Sequence, residues 1–253
     1  MPNETGMSVD VLCEDGPILA VNKPAGLLTL GAVPGVPTLE RLVKQYLKEK
    51  YAKPGNVYLG IPHRLDRPVS GVVIFSRNSK AAARLAEQFR ERQVKKLYLA
   101  LVERPPDPPE GELVDWLRKS PTQAQVEIVQ PEIPGAREAR LRYRTLPSDS
   151  LNPRRTLIEI EPLTGRTHQI RVQLAARGWP IVGDRQYGAT TALAAEPGAD
   201  PRDQPIALHA RSLTVLHPIR YDRLTITAPL PREWGVDETL CVQGVLPGDV
   251  LSL

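Results

Sequence analysis

The sequence is poor in cysteine and has no long apolar run. Its two cysteines, Cys13 and Cys241, lie at opposite ends of the 253-residue chain, without the spacing of a metal or redox site. A disulfide framework is therefore excluded, and no metal site is predicted. No run approaches the roughly 20 apolar residues that a membrane helix needs. Residues 1–5 lack the basic start and apolar stretch of a secretory signal. These absences predict a cytoplasmic protein without a membrane segment.

The length and the charge are those of a globular protein with a slightly basic surface. The chain is long enough for one large domain or two small ones, and 41% hydrophobic and 25% charged residues are ordinary values. The formal net charge of +4 is a mild indication of a polyanionic partner, although many soluble proteins are slightly basic. Basic residues cluster within 64–67, 84–96, 137–144, 154–155 and 166–177.

Short strands that mostly follow one another, with few helices between them, predict an α+β fold with a large mixed or antiparallel sheet. Three helices are expected where apolar residues recur at helical spacing, over 38–51, 78–92 and 167–177, with Thr38, Asn78 or Ser79, and Thr167 as caps. Gly178 is well placed to end the third helix. Strands are expected at 9–13, 18–21, 72–75, 94–102, 126–129, 139–146, 156–160, 206–208, 212–216 and 223–228. The proline-rich segment 104–109 is a connector, and 189–205 is expected to be a mobile surface loop.

The most informative segment is 63–71, which places Asp66 among three basic residues and is followed by an apolar run. Nearby cations favour the ionised form of such a carboxylate. In an extended strand, Arg64 and Asp66 would lie on one face. A surface ion pair is the commoner explanation of an aspartate beside arginine, and a catalytic carboxylate is the alternative.

Two further segments carry candidate functional residues. In 164–171, Gly165 permits a sharp turn, and Arg171 lies about one turn into the expected helix, where it could reach a carboxylate elsewhere or simply be solvated. In 95–100, Tyr98 shares a strand face with Lys96. A tyrosine there is more often packed in the core, but in a pocket its ring could stack on a base.

Together with three other segments, these resemble the RluA-type pseudouridine synthases. The matching segments follow in the family's order at 21–26, 63–71, 96–100, 164–171, 180–188 and 208–210. The resemblance implies an α+β domain on a long, mostly antiparallel sheet with the active site in a central cleft. It also implies isomerisation of uridine in RNA to pseudouridine without cofactor or metal: the N1–C1′ bond breaks, the base rotates, and C5 bonds to C1′.

The resemblance assigns a role to five residues. Asp66 matches the essential carboxylate, which would either attack covalently or act as a base at C2′ to give a glycal. Arg171 matches its ion-pair partner, and Tyr98 the tyrosine that stacks on the target base and assists proton removal from C5. Arg64 would insert where the flipped uridine leaves the stack, and Leu208 would line the pocket. We therefore expect Asp66 and Arg171 in direct contact, with Tyr98 across the same cleft.

The resemblance also bears on organisation and partners. Residues before the first strand are too few for the accessory RNA-binding domain of some relatives, so a single catalytic domain over 1–253 is expected. Val69 stands where the family often has threonine, which removes a hydroxyl near the catalytic loop. Lys23 and Pro24 are expected to be structural.

The expected partner is rRNA or tRNA, and the expected state is a monomer. An RNA-binding or RNA-folding module of the same fold that has lost catalysis is the alternative. A hydrolase with paired carboxylates is disfavoured, because no second acidic residue accompanies Asp66.

Overall fold

The structure, a computed structural model, describes residues 8–31, 35–122, 125–147, 155–193 and 204–236. Its strands are β1 (Asp10–Asp15), β2 (Ile18–Lys23), β3 (Ser70–Ser76), β4 (Lys95–Val102), β5 (Glu110–Lys119), β6 (Val126–Val129), β7 (Arg137–Thr145), β8 (Thr156–Pro162), β9 (Leu208–Leu216) and β10 (Arg223–Thr227). Its helices are α1 (Leu39–Lys50), α2 (Ser79–Arg90) and α3 (Gln169–Ala176).

All ten strands belong to one sheet. The order is β1-β2-β3-β9-β4-β8-β7-β5-β6, and β10 pairs with β9 off this path. Every pairing is antiparallel except that of β3 with β9, which is parallel. The α+β class with a mostly antiparallel mixed sheet is thus confirmed.

The two strands β2 and β3 are apolar on both faces because each face is covered. Leu19, Val21, Val73 and Phe75 pack in the core that also buries α1. The alternate residues Ile18, Ala20, Val72 and Ile74 pack with Leu85 of α2. Successive strand residues point to opposite faces, so two short apolar runs supply both cores.

The parallel contact between β3 and β9 requires a glycine. Gly71 pairs with Ala210, and a Cβ at position 71 would lie 2.3 Å from the Ala210 carbonyl oxygen. Its φ of +114° also lies where side chains are disfavoured. Gly71 therefore permits β9 to lie directly beside β3.

Two predicted helix caps are confirmed, and the third is corrected. Thr38 accepts a hydrogen bond from the Arg41 amide at 3.3 Å, and Asn78 accepts one from Ala81 at 2.9 Å. The third helix begins two residues later than predicted: His168, not Thr167, is its N-cap residue, with a left-handed φ of 51°. Gly178, with a φ of +78°, follows the C-cap as expected.

Three strand-level expectations were wrong. Strand β5 was missed, because only Leu113 and Leu117 are buried and most of its side chains are exposed or charged. Strand β9 is continuous where two short strands were predicted. The segment 63–67 is irregular and precedes β3, so Arg64 and Asp66 do not share a strand face.

Several sequence features fall partly or wholly outside the described residues: the N-terminal segment 1–5, Arg154, residues 194–203 of the expected 189–205 loop, and Cys241. Within the described ranges, no helix combines the length and apolar character needed to cross a bilayer.

Candidate active site

A cavity of about 950 Å³ lies against the middle of the sheet, between the 63–69 segment, β4, β9 and the start of α3. All five predicted site residues line it: Arg64, Asp66, Tyr98, Arg171 and Leu208. Residues far apart in sequence therefore meet in one concave space, as a central cleft requires.

The loop that carries Asp66 is held from beneath by a buried lysine. The Lys23 side chain is fully buried, and its ammonium donates to the carbonyls of Pro24, Leu27 and Arg67 at 2.9, 2.7 and 3.1 Å. An ammonium has three donors, and all three are used. Burial lowers the pKa of Lys23 to about 7, against the opposing charge of Asp66. This lysine is structural, as expected.

Other hydrogen bonds of this loop also involve main-chain atoms. Gly26 and Arg67 exchange two bonds of 2.9 Å, from the Gly26 amide to the Arg67 carbonyl and from Arg67 Nε to the Gly26 carbonyl. Thr29 Oγ1 donates to the Leu65 carbonyl and accepts from its amide. The Val69 amide closes the turn on the Asp66 carbonyl at 3.1 Å, so the turn does not need a hydroxyl at position 69.

The predicted direct contact between Asp66 and Arg171 is wrong. Arg171 forms a two-pronged ion pair with Asp184, Nε to Oδ2 and Nη2 to Oδ1, both at 2.7 Å. Only 4% and 1% of their side chains are exposed. Nη2 also donates to Gln186 Oε1 at 2.9 Å, and the guanidinium lies 4.9 Å from the Tyr187 ring centre.

The charge of Asp66 nevertheless acts on Arg171. Burial opposes the charge of Arg171, but the hydrogen bonds and charge of Asp184, and then the charge of Asp66, together raise its pKa. Arg171 therefore stays cationic near Asp66, without touching it. The pairing was missed because Asp184 lies 13 residues on, beside a short 3₁₀ turn over Arg185–Tyr187 that cannot be placed against α3 from sequence.

His168, which sequence reasoning missed, faces the carboxylate of Asp66. Its Nε2 lies 3.8 Å from Asp66 Oδ2, and its Nδ1 lies 2.8 Å from the Tyr187 hydroxyl. Burial lowers the pKa of His168, although the Asp66 charge opposes this. Both His168 and Tyr187 lie inside segments that carry the family resemblance, which was the available signal.

Tyr98 presents a half-buried ring to the cavity from β4, and its ring packs against the main core. Burial, and then the negative charge of Asp66, raise the pKa of Tyr98. The hydroxyl is therefore protonated at neutral pH. Leu208, buried at the first position of β9, adds an apolar surface, and Arg64 is exposed.

One side of the cavity is cationic, formed by Arg92, Lys96 and Arg166. Burial and then the charge of Arg92 lower the pKa of Lys96, and the same two causes lead for Arg166. Within the described part of the chain, no hydrogen bond or ion pair engages the Lys96 ammonium. Several positive charges on one side of a cavity favour the binding of a polyanion there. Among the described residues, no group of three histidine, cysteine, aspartate or glutamate side chains could hold a metal ion.

Comparisons with known proteins agree with this arrangement. The family model of RNA pseudouridylate synthases matches residues 17–176. The dual-specificity RNA pseudouridine synthase RluA of Escherichia coli is 34% identical over 225 residues, which cover 87% of this chain and 92% of that protein. The tRNA pseudouridine synthase C of Haemophilus ducreyi is 31% identical over 239 residues, which cover 90% and 93%.

A solved structure has the same fold. Human RNA pseudouridylate synthase domain containing 4 superposes with a TM-score of 0.71 at 25% identity, covering 90% of this chain and 94% of that one. The matched family model spans β2 to the end of α3, which includes Asp66, Tyr98 and Arg171. The chain belongs to the RluA-type RNA pseudouridine synthases, isomerases that convert uridine in RNA to pseudouridine.

Proposed function

We propose that this enzyme acts on one or more uridines of rRNA or tRNA, with Asp66, Tyr98 and Arg171 in the reaction and Arg64 and Leu208 in substrate binding. The observation that carries the proposal is the single cavity that all five residues line. The named relatives, one a dual-specificity RNA enzyme and one a tRNA enzyme, support the substrate class.

Asp66 is the reactive carboxylate in this proposal. It either attacks the nucleotide covalently or removes the C2′ proton to give a glycal, and both routes need an ionised carboxylate beside the flipped nucleotide. Arg171 supplies a positive charge near that carboxylate without contacting it, since its own hydrogen bonds go to Asp184 and Gln186.

In this proposal the target base stacks on the Tyr98 ring and contacts the apolar surface of Leu208. Once C5 has bonded to C1′, C5 loses its proton and N1, whose bond to C1′ has broken, gains one. The protonated Tyr98 hydroxyl assists this transfer as a relay, giving up its own proton toward the base as it takes the one from C5. Arg64, exposed at the cavity, fills the gap that the flipped uridine leaves, where a planar cation can stack on the neighbouring bases. Flipping costs a few kcal/mol of stacking, which such a filler partly restores.

The cationic side of the cavity binds the backbone phosphates of the flipped nucleotide and its neighbours. The charge of Arg92 helps to lower the pKa of both Lys96 and Arg166, and a bound phosphate relieves that repulsion. RNA binding is therefore expected to weaken as salt rises, and to weaken less steeply in Lys96→Met than in the unchanged enzyme.

Tritium release tests the proposal. The protein is incubated with rRNA or tRNA that lacks pseudouridine and carries tritium at uridine C5. Isomerisation replaces the C5–tritium bond by the C5–C1′ bond, so each turnover releases the tritium. Asp66→Asn is expected to abolish release while keeping the fold. Asp222→Asn, a matched change at an exposed ion pair, is expected to release tritium at the unchanged rate. No release from any cellular RNA would overturn the proposal.

A cellular comparison separates catalysis from binding. In cells without the gene, the Asp66→Asn protein is expected to leave the target uridine unmodified and to fail to rescue any growth defect. Full rescue by that variant would favour the alternative of an RNA-binding or RNA-folding module. We further propose that residues 1–253 form one catalytic domain, acting in the cytoplasm as a monomer and without a cofactor.

A further inference from the structure

A chain of hydrogen-bonding groups leads from the sheet to Asp66 and is unused by the mechanism above. The Val126 amide donates to the Tyr187 hydroxyl oxygen at 3.0 Å. That hydroxyl lies 2.8 Å from His168 Nδ1, and the other ring nitrogen of His168 faces Asp66 Oδ2 at 3.8 Å. The two rings meet edge to face, at 5.7 Å and 87°.

Counting donors and acceptors among these groups favours one position for the imidazole proton. The Val126 amide can only donate, so the Tyr187 oxygen accepts from it. The Tyr187 hydrogen then needs an acceptor, and among the described residues His168 Nδ1 is the one within reach. If Nδ1 accepts, a neutral imidazole carries its proton on Nε2.

The surroundings of His168 favour that neutral ring. Its side chain is largely buried, and Arg171 and Arg64 oppose a further positive charge, while Asp66 and Asp184 partly compensate. The neutral Nε2–H therefore faces the carboxylate of Asp66 as a donor, and the unprotonated ring nitrogen lies on the other side, toward Tyr187.

The backbone of His168 is also unusual. Its φ of 51° is left-handed, a conformation that costs a residue with a side chain about 1 kcal/mol or more. That conformation places the residue at the start of α3, where its carbonyl accepts from the Val172 amide at 3.0 Å. A glycine or asparagine would adopt it more easily.

We infer that His168 is a positioning residue for Asp66, held by Tyr187 in the Nε2–H tautomer so that it aims a neutral hydrogen-bond donor at Oδ2. The gap of 3.8 Å is too long for a hydrogen bond and closes by roughly 1 Å when RNA binds. Because the donor is neutral, it fixes the carboxylate's orientation without neutralising its charge. The catalytic part of this inference rests on the proposed role of Asp66.

Nuclear magnetic resonance of the free protein tests the tautomer without any activity. With nitrogen-15 in the imidazole rings, His168, assigned by its loss in His168→Gln, is expected to show a protonated Nε2 and a bare Nδ1 at neutral pH. Tyr187→Phe keeps the ring beneath Arg171 but removes the donor, so the signals are expected to move toward the other tautomer. A protonated Nδ1 in the unchanged protein, or no change in Tyr187→Phe, would overturn the inference.

Two substitutions separate positioning from backbone strain. His168→Gln keeps an N–H donor near the place of Nε2, whereas His168→Asn is too short to reach but suits the left-handed backbone. Single-turnover rates are expected to fall about tenfold more in His168→Asn than in His168→Gln, with unchanged RNA affinity, because a bond to a charged acceptor is lost. His168→Asn is expected to be the more stable of the two.

The reverse order of rates would show that His168 serves the backbone alone and would overturn the inference. If the unchanged enzyme isomerises no RNA, the proposed function fails, and the tautomer measurement still decides the hydrogen-bonding part.

Discussion

The two sides of the cavity are held in place by different kinds of contact. On the Asp66 side, the loop is fixed through main-chain atoms: Lys23 and Thr29 bond to carbonyls and an amide, and Gly26 and Arg67 tie two loops together. On the α3 side, Arg171 is fixed by Asp184, a contact between two side chains. The first side depends on backbone shape, and the second on the chemical identity of a few groups.

The largest effect is expected from removing one member of the buried ion pair. In Arg171→Met, Asp184 is left charged and buried without its partner, and the free energy of unfolding is expected to fall by about 3–5 kcal/mol. Urea denaturation measures the loss. Arg140→Met, which removes a half-exposed pair with Glu112, is the control and is expected to cost about 0–1 kcal/mol. Equal losses of unfolding free energy in the two variants would show that the buried Arg171–Asp184 pair stabilises the α3 side no more than an ordinary surface ion pair does.

A smaller loss of stability is expected from a substitution on the Asp66 side of the cavity, where the loop is held through main-chain atoms. In Lys23→Met, three carbonyls of the Asp66 loop lose their donor, which is expected to cost about 1–3 kcal/mol by urea denaturation, together with a slower single-turnover rate. Lys44→Met, which removes a partly exposed pair with Glu40 on α1, is the control, with an expected cost of about 0.5 kcal/mol or less. A Lys23→Met protein with unchanged rate would show that the loop holds its shape without the ammonium.

The pH dependence of stability tests how tightly the Asp66 side of the cavity is packed around a buried histidine. Beside the loop, His63 Nε2 accepts from the Ile74 amide at 3.0 Å, and burial and then the charge of Lys96 lower its pKa to about 3. As pH falls below about 6.5, the imidazole of His63 binds a proton in the unfolded chain but stays neutral in the folded one. His63 is therefore expected to reduce stability by up to about 1.4 kcal/mol per pH unit between about pH 6 and pH 4.

The same pH series on a variant isolates the contribution of His63. In His63→Gln, the slope of the free energy of unfolding against pH is expected to decrease by about one proton. His209, with its pKa lowered to about 4 by burial, retains its own contribution. An identical slope in the variant would mean that His63 is protonated in the folded protein.

Much of the fold could be predicted because short segments of the sequence determine many of its strands and helices. The apolar runs of β2 and β3 and the caps Thr38 and Asn78 are properties of short segments. Strand β5 carries no such pattern, because it is partly exposed and its pairing with β7 and β6 is decided by tertiary context.

That the five predicted residues would line one cavity could be predicted, but their pairings and the presence of His168 could not. The segment resemblance brought Asp66, Tyr98 and Arg171 to one cavity, yet it gave Arg171 the wrong partner. Which carboxylate a buried arginine contacts depends on how α3 packs against the turn that follows Asp184. Spacing along the chain does not encode that distance. The position of His168 was hidden for the same reason, because its two partners, Asp66 and Tyr187, come from two other segments.

The parallel pairing of β3 with β9 through Gly71 has a consequence for biosynthesis. Strand β9 lies between β3 and β4, so every chain that ends before residue 208 leaves the strands β1-β2-β3 unconnected by pairing to the strands β4-β8-β7-β5-β6. The segment that joins them follows both halves along the chain, and it also contributes Leu208 to the cavity. A nascent chain therefore carries both halves of the cleft before β9 can pair them, and modification of RNA has to wait until residues 208–216 have been synthesised.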